Sequence, residues 1–314
     1  MGRMSFVFRR LLLLVPVAVG VTIIVFFMVH LIPGDPARTI LGIHATPKAV
    51  AILNRQFGLD RPLISQYWLF VDRLLHGNLG LSLYYGTPVG GLVRSRLPVT
   101  LWLLCYAIVL TVVISIPLAM LAASRKDGVR DHLVRAVPVL GLGMPAFWVG
   151  LMLQYGLAIS LHAFPVTGFG SGFGGHLRSM FLPALTITIG LCPVVIRSLR
   201  ASMLEVLTAD YITTARSKGV SGLRLLARHV LRNAVIPAIT VLGVNVAFLI
   251  GGALIVEDVF ALPGVGQLMV QSIFQRDFPV VQGVTLLFGV LVVLVNLLTD
   301  VGYALLDPRV RFSR

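Results

Sequence analysis

Six apolar runs alternate with polar segments along the chain, at about 11–32, 98–123, 134–160, 181–200, 237–256 and 280–306. Each holds roughly 20 residues or more, enough for a helix rising about 1.5 Å per residue to cross the roughly 30 Å hydrocarbon layer. Backbone amides find no water in that layer, so a spanning run must satisfy them internally, as a helix does. The pattern predicts an all-α, polytopic membrane protein with six transmembrane helices. The first run follows Arg3, Arg9 and Arg10, a flank it shares with secretory signals. It is too long for a signal core and ends in Leu31-Ile32-Pro33-Gly34, with no small-x-small cleavage site. It is expected to stay in place as the first helix, with His30 at its outer interface.

The polar segments orient these spans. Arg125, Lys126, Arg130 and Arg135 follow the second run, arginines between 216 and 232 follow the fourth, and Arg309, Arg311 and Arg314 follow the sixth. All fall on the side of the N-terminus, and short loops rich in Lys and Arg stay in the cytoplasm. Both termini are therefore expected to be cytoplasmic. The organisation that follows has residues 1–32 as an N-terminal region with the first helix and 33–97 as an extracytoplasmic subdomain. Residues 98–306 form a five-helix core containing a cytoplasmic loop at 201–237, and 307–314 form a tail. Within 33–97, helices are expected near 47–57 and 62–76, followed by the turn region GNLGLSLYYGTPV. The basic residues of this segment do not conflict with the orientation, because segments longer than about 60 residues translocate largely regardless of charge. Loop 161–180 is Gly-rich and expected to be mobile; 257–279 reads as an outer loop carrying Glu257, Asp258 and an LPG turn. Pro117, Pro138, Pro145, Pro183 and Pro193, with Gly141, Gly143 and Gly190, are expected to kink the spans, either for packing or for movement.

Composition agrees with a bilayer protein: 57% of residues are hydrophobic, 12% are charged and mean hydropathy is +0.93, whereas a soluble domain carries about twice that charge. The net charge of +14 is dispersed over short loops and forms no continuous patch, which argues against nucleic acid and for lipid headgroups or partner loops as counter-charges. Cys105 and Cys192 lie inside apolar runs without metal or CxxC spacing and read as small packed residues. Asp300 sits within the last run, where a carboxylate is costly unless paired. The run ends near Leu306, so snorkelling or a cytoplasmic Arg partner is expected for Asp300, not a substrate site.

The segment Glu205 to Pro237, EVLTADYITTARSKGVSGLRLLARHVLRNAVIP, is a charged island between apolar runs. It reads as two short helices with a turn between them. The first has Thr208 as a candidate N-cap, Asp210 in its opening turn, Arg216 and Lys218 in its last turn, and Gly219 where a helix end favours positive φ. The second can begin at Ser221, with Leu223, Leu226, Ala227, Val230 and Ala234 on one face and Arg224, Arg228 and Arg232 on another. Pro237 opens the next apolar run. Such a hairpin could lie on headgroups as a basic loop, or it could dock, with Tyr211, Ile212, Ala215 and Gly219 offering a small surface that fits a partner's groove.

At these residues the sequence resembles the permease subunits of bacterial ATP-binding-cassette (ABC) importers of the dipeptide, oligopeptide and nickel family. The segments that carry the resemblance are LIPGDP at 31–36, LEVLTADYITTARSKG at 204–219, RHVLRNAVIP at 228–237, VEDVFALPGVG at 256–266 and NLLTDVGYALLDPRVR at 296–311. The resemblance implies a type I ABC importer permease fold in a bacterial plasma membrane. It also implies that Asp210, Tyr211, Ile212, Thr213, Thr214, Ala215, Arg216, Lys218 and Gly219 form the coupling helix of an EAA loop, docked on an ATPase subunit. In this chain the acidic-Ala-Ala triplet is Thr213-Thr214-Ala215, with Gly219 at the family spacing, a departure shared by the peptide branch. Implied partners are a homologous second permease, two ABC ATPase subunits, an extracytoplasmic substrate-binding protein and membrane lipid. Implied cargo is short peptides, with nickel chelates, glutathione and haem as alternatives.

Enzyme chemistry is not encoded in recognisable form. A phosphate-binding loop needs Gly-Lys-Ser/Thr, and none of Lys48, Lys126 and Lys218 follows glycine. No cofactor is therefore expected in this subunit, with ATP and Mg held by partner subunits. HExxH and GxSxG are missing too. A secondary transporter would show internal repeats and charges within its spans, and an intramembrane serine protease would need a Ser and His pair on facing spans; neither pattern is evident.

Overall fold

The apolar runs form helices in the computed structural model of the protein, which describes residues 15–28, 45–48, 50–52 and 60–306. The first helix is α1 (Val15–Met28). After it come α2 (Leu63–Leu75), α3 (Val89–Ser124), α4 (Val129–Leu142), and α5 (Ala146–Leu153) with a π-helical extension Gln154–Ser160. Next are α6 (Gly172–Val206), α7 (Asp210–Ser217), α8 (Gly222–Leu225), a π-helical turn Leu226–Val230, α9 (Leu231–Val259), α10 (Val265–Phe274) and α11 (Phe278–Leu306). The described residues contain no strand, and the fold is all-α as the pattern predicts. Four stretches, Val89–Ser124, Gly172–Val206, Gly222–Asn245 and Phe278–Thr299, are long and apolar enough to cross a membrane. The α4–α5 pair makes a fifth if it is counted as one broken span. Arg3, Arg9, Arg10, His30, the LIPGDP segment, most of the helix expected at 47–57 and the 307–314 tail lie outside the described residues, as does the side chain of Asp300.

The described chain divides into two compact units. The first holds Val99–Pro263 and the residues from Leu294 onward. Its centre is α6, which buries Leu182, Ile196, Leu199 and Met203 and continues through Pro183 and Pro193 as a helix. A seam of small polar residues joins it to α3. The Thr188 and Thr111 hydroxyls both donate to the Ala107 carbonyl, at 3.2 and 2.7 Å, and Ser115 meets Cys192 at 3.4 Å. Residues four apart share a helix face, and small side chains there let helix backbones approach within lipid. Cys192 is buried, as expected; Cys105 is exposed, contrary to its reading as a packed residue.

Three expectations change in this unit. The third run is broken into two helices bent by 104°, as an interrupted span or a re-entrant pair is. α4 ends at Gly143, and Pro145, which cannot continue the helix ladder, starts α5. Second, α6 begins at Gly172, nine residues before the expected 181, and the Gly-rich loop is tied down at several points. The His176 ring stacks on Phe169 at 3.9 Å, the Ser179 hydroxyl donates to the Phe169 carbonyl at 2.6 Å, and Arg178 donates to the Ala163 carbonyl. Third, Pro237, where the next apolar run opens, lies inside α9 and begins no new helix.

The second unit holds residues up to Pro98 together with Gly264–Val293. Val89 and Val93 of α3 pack with Val265 and Leu268 of α10 and Val280 and Val284 of α11. The stretch expected as an outer loop therefore contains a ten-residue helix, α10. α2 matches the helix expected at 62–76, and the turn region after it is held by one buried carboxylate. Asp277 accepts from the Ser82 hydroxyl at 2.5 Å and from the Leu83 and Tyr84 amides at 3.1 and 3.2 Å.

Candidate functional site

α7 is a short helix with a firmly specified end. Gly219 adopts φ +82°, its amide donates to the Arg216 carbonyl at 2.9 Å, and the Val220 amide donates to the Ala215 carbonyl at 3.1 Å. This is the Schellman pairing, in which a left-handed residue lets the chain turn back and satisfy the last helical carbonyls. The N-terminal end departs from expectation. Ala209 occupies the N-cap position and has no capping side chain, while Thr208 turns its hydroxyl back to the Glu205 carbonyl at 2.7 Å.

The nine residues singled out on α7 fall into two groups. Ile212 is fully buried and Ala215 is half-buried, both within the chain's own apolar cluster, so these two anchor the helix and do not present it. Asp210, Tyr211, Thr213, Thr214, Arg216, Lys218 and Gly219 are exposed. The Tyr211 hydroxyl accepts from the Asn233 side-chain amide at 2.8 Å and ties α7 to α9. The cluster that receives Ile212 combines Ala119 and Ala123 of α3, Val134 of α4, Ile196, Leu199 and Met203 of α6, and Leu225, Leu226 and Val230 of the second arm.

The second arm is not a separate helix. α8, the π-helical turn and α9 run without a break from Gly222 to Val259. A π-helical turn bonds i to i+5 and so takes up one extra residue, which rotates the faces that a 3.6-residue period predicts. Leu225 joins Leu226, Val230 and Ala234 inside, while Leu223 and Ala227, expected on the apolar face, are exposed. Arg224, Arg228 and Arg232 are exposed as expected.

Two neighbouring features were not found from the sequence. The Asp131 side chain is fully buried. It accepts from the Nε and a terminal nitrogen of Arg200, each at 2.5 Å, and from the Asp127 amide at 3.0 Å, with Arg135 at 3.5 Å. The pair spans 69 residues of sequence, and the only trace in the pattern is an arginine close to an apolar run and an acid in a basic loop. The second feature is a cavity of about 330 Å³ beside the α4–α5 bend, lined by Gly141, Leu142, Ala146, Val149, Gly190, Leu191, Phe248 and Gly252 among others. Its polar lining is Thr186 and Asn245; the Thr186 hydroxyl donates to the Leu182 carbonyl and the Asn245 amide donates to the Val241 carbonyl, each within its own helix. No group of three or more His, Cys, Asp or Glu that could hold a metal occurs among the described residues.

Comparison with known proteins decides the family. Residues 115–312 match the model of the binding-protein-dependent transport system inner membrane component, and residues 3–104 match the N-terminal part of such membrane components. The chain belongs to this family. It is the permease subunit of an ABC importer and a protein of the inner membrane. Similar relatives include the glutathione transport system permease protein GsiC of Escherichia coli, Shigella dysenteriae and Salmonella paratyphi A. Each is 38% identical over 310 residues, which cover 99% of this chain and all of the relative. Among solved structures, one of the inward-facing MetNI methionine ABC transporter aligns with a TM-score of 0.58 at 17% identity, over 69% of this chain and 96% of that one. That likeness establishes the fold, the ABC importer permease fold that the sequence resemblance implied. Members of this family are membrane subunits and not themselves enzymes.

Proposed function

We propose that this permease forms half of a passage for small peptides, with glutathione as the first cargo to test, and that separate ATPase subunits drive it through α7. The cargo rests on one observation: identity of 38% along the whole length to permeases named for glutathione transport. The passage wall is assigned to the cavity at the α4–α5 bend, whose lining carries no charge that would hold a zwitterionic peptide. Selectivity then resides in an extracytoplasmic binding protein. A homologous second permease supplies the other half, and two ATPase subunits hold ATP and Mg, since no Gly-Lys-Ser/Thr loop occurs in this sequence.

The docking role of α7 is supported by its exposed face of small and polar residues, its fixed C-terminal turn and its single deep anchor, Ile212. Closure of the ATPases would push α7 and, through Ile212, the ends of α3, α4 and α6. Membrane vesicles carrying the whole importer test the assignment when supplied with binding protein, ATP and labelled glutathione, dipeptide or nickel chelate. ATP-dependent glutathione uptake is the expected result; uptake of nickel chelate alone would overturn the cargo. Uptake by the isolated chain would overturn the assembly.

A further inference from the structure

We infer that the ion pair of the buried Asp131 with the part-buried Arg200 is a positioning device of the importer, fastening α4 to α6 so that motion received at α7 reaches the cavity walls. The inference rests on the docking role proposed for α7. Asp131 is in the first turn of α4, and Arg200 lies six residues before the end of α6. Gly141, ten residues beyond Asp131, lines the cavity; so does Gly190, ten residues before Arg200. At about 1.5 Å per residue, each arm from the ion pair to the cavity is about 15 Å long.

A second fastening closes the far end of these arms. A Cβ on Gly141 would fall 2.7 Å from the Ile189 methyl and 3.0 Å from the Ile189 carbonyl oxygen, so α4 rests its backbone directly on α6 there. The two helices are thus joined at the ion pair and again beside the cavity. Ile212 packs in one cluster with Leu199, the residue before Arg200, with Met203, three residues after it, and with Val134, three residues after Asp131. An apolar contact can slide, whereas a bidentate guanidinium–carboxylate pair fixes both distance and direction. Burying the two charges gains little stability over an apolar substitute, which leaves registration of α4 on α6 as its use.

The test uses the whole importer with Cys105 and Cys192 replaced by alanine and Gly190→Cys as a probe, a position where an added Cβ meets nothing within 4 Å. The rate of labelling by a maleimide is measured with and without ATP plus vanadate. The parent protein is expected to show a nucleotide-dependent rate. Asp131→Asn and Arg200→Gln should reduce that dependence about tenfold, a typical coupling free energy between sites, while the ATPase subunits still co-elute. Arg200→Lys, which keeps the charge without the fork, should fall between.

Asp131→Leu/Arg200→Met, which replaces the pair by apolar volume, settles the case if single variants fail to assemble. It should assemble and still lose the dependence. Nucleotide dependence preserved in that double variant, or in the assembled single variants, overturns the inference. A Gly219→Val arm separates the two ideas. If it loses the dependence while Asp131→Asn keeps it, docking at α7 stands and the clamp fails. If the parent shows no dependence at all, the docking role itself fails and the clamp with it.

Discussion

Replacing Gly219 separates what the backbone needs from what a docking partner needs. At φ +82° an L residue crowds its own carbonyl, at a cost of about 1 kcal/mol for alanine and about 2 kcal/mol for a β-branched valine. Asparagine tolerates this region, so its cost is smaller. A Cβ at Gly219 meets nothing within 4 Å in this chain, so in the subunit alone the penalty is conformational only. About 2 kcal/mol shifts the balance between a capped and a frayed end of α7 by roughly thirtyfold. If the Schellman end were the whole requirement, transport should fall in the order Gly, Asn, Ala, Val. If the exposed glycine also lies against an ATPase subunit, any side chain intrudes, and Gly219→Asn should be as defective as Gly219→Val. The assay is cargo transport and cargo-stimulated ATP hydrolysis in proteoliposomes of the full importer, with Arg228→Ala, on the exposed face of the second arm, as a mild control. Expression and membrane insertion should be near normal for all. Gly219→Val transporting like wild type would refute the docking role of the hairpin.

Three further outcomes follow from the packing. Asp277→Asn removes the charge that accepts from Ser82, Leu83 and Tyr84; it should cost about 3 kcal/mol and appear as faster proteolysis between 82 and 88. Ala261 and Arg276 hold φ of 48° and 57° at the ends of α9 and α10, each with the same paired bonds as Gly219. Ala261→Gly and Arg276→Gly should each stabilise the purified protein by about 0.5–1 kcal/mol in thermal unfolding. Gly243 is buried, and a Cβ there would fall 2.6 Å from the Thr299 Cβ; Gly243→Val should lower the melting temperature, and Thr299→Gly should recover much of the loss.

Long-period information was legible in the sequence and pairwise information was not. The apolar runs placed most of the long helices because each carries its own signal in bulk composition, and Gly219 was legible because only a backbone constraint explains glycine after Arg216-Ser217-Lys218. Thr208 misled because a hydroxyl can satisfy a carbonyl behind it as readily as an amide ahead. Leu223 and Ala227 were placed inside because a fixed 3.6-residue period cannot show a π-helical turn. Pro145 and Gly143 marked an irregularity but not its size, since the same residues serve a gentle kink and a 104° break. The Gly-rich loop looked free because the stack of His176 on Phe169 depends on where the chain turns, not on which residues it contains. Asp131 and Arg200 were missed for the simplest reason: nothing in either neighbourhood names a partner 69 residues away.

The rod from Gly222 to Val259 sets what kinds of change this protein can absorb. A loop takes an extra residue by bulging, but a continuous helix passes it on: one residue inserted or lost turns everything beyond it by about 100°. Hairpin arm and membrane span share that backbone, so a length change in the arm that the π-helical turn does not take up would swing every side chain of the span onto a wrong neighbour. Insertions and deletions are admissible in the joints at 207–209 and 218–221, where the chain is not helical, and at the π-helical turn Leu226–Val230, which already takes up one extra residue. Elsewhere in this region a lineage can revise the sequence only letter by letter, by exchange of side chains at constant length.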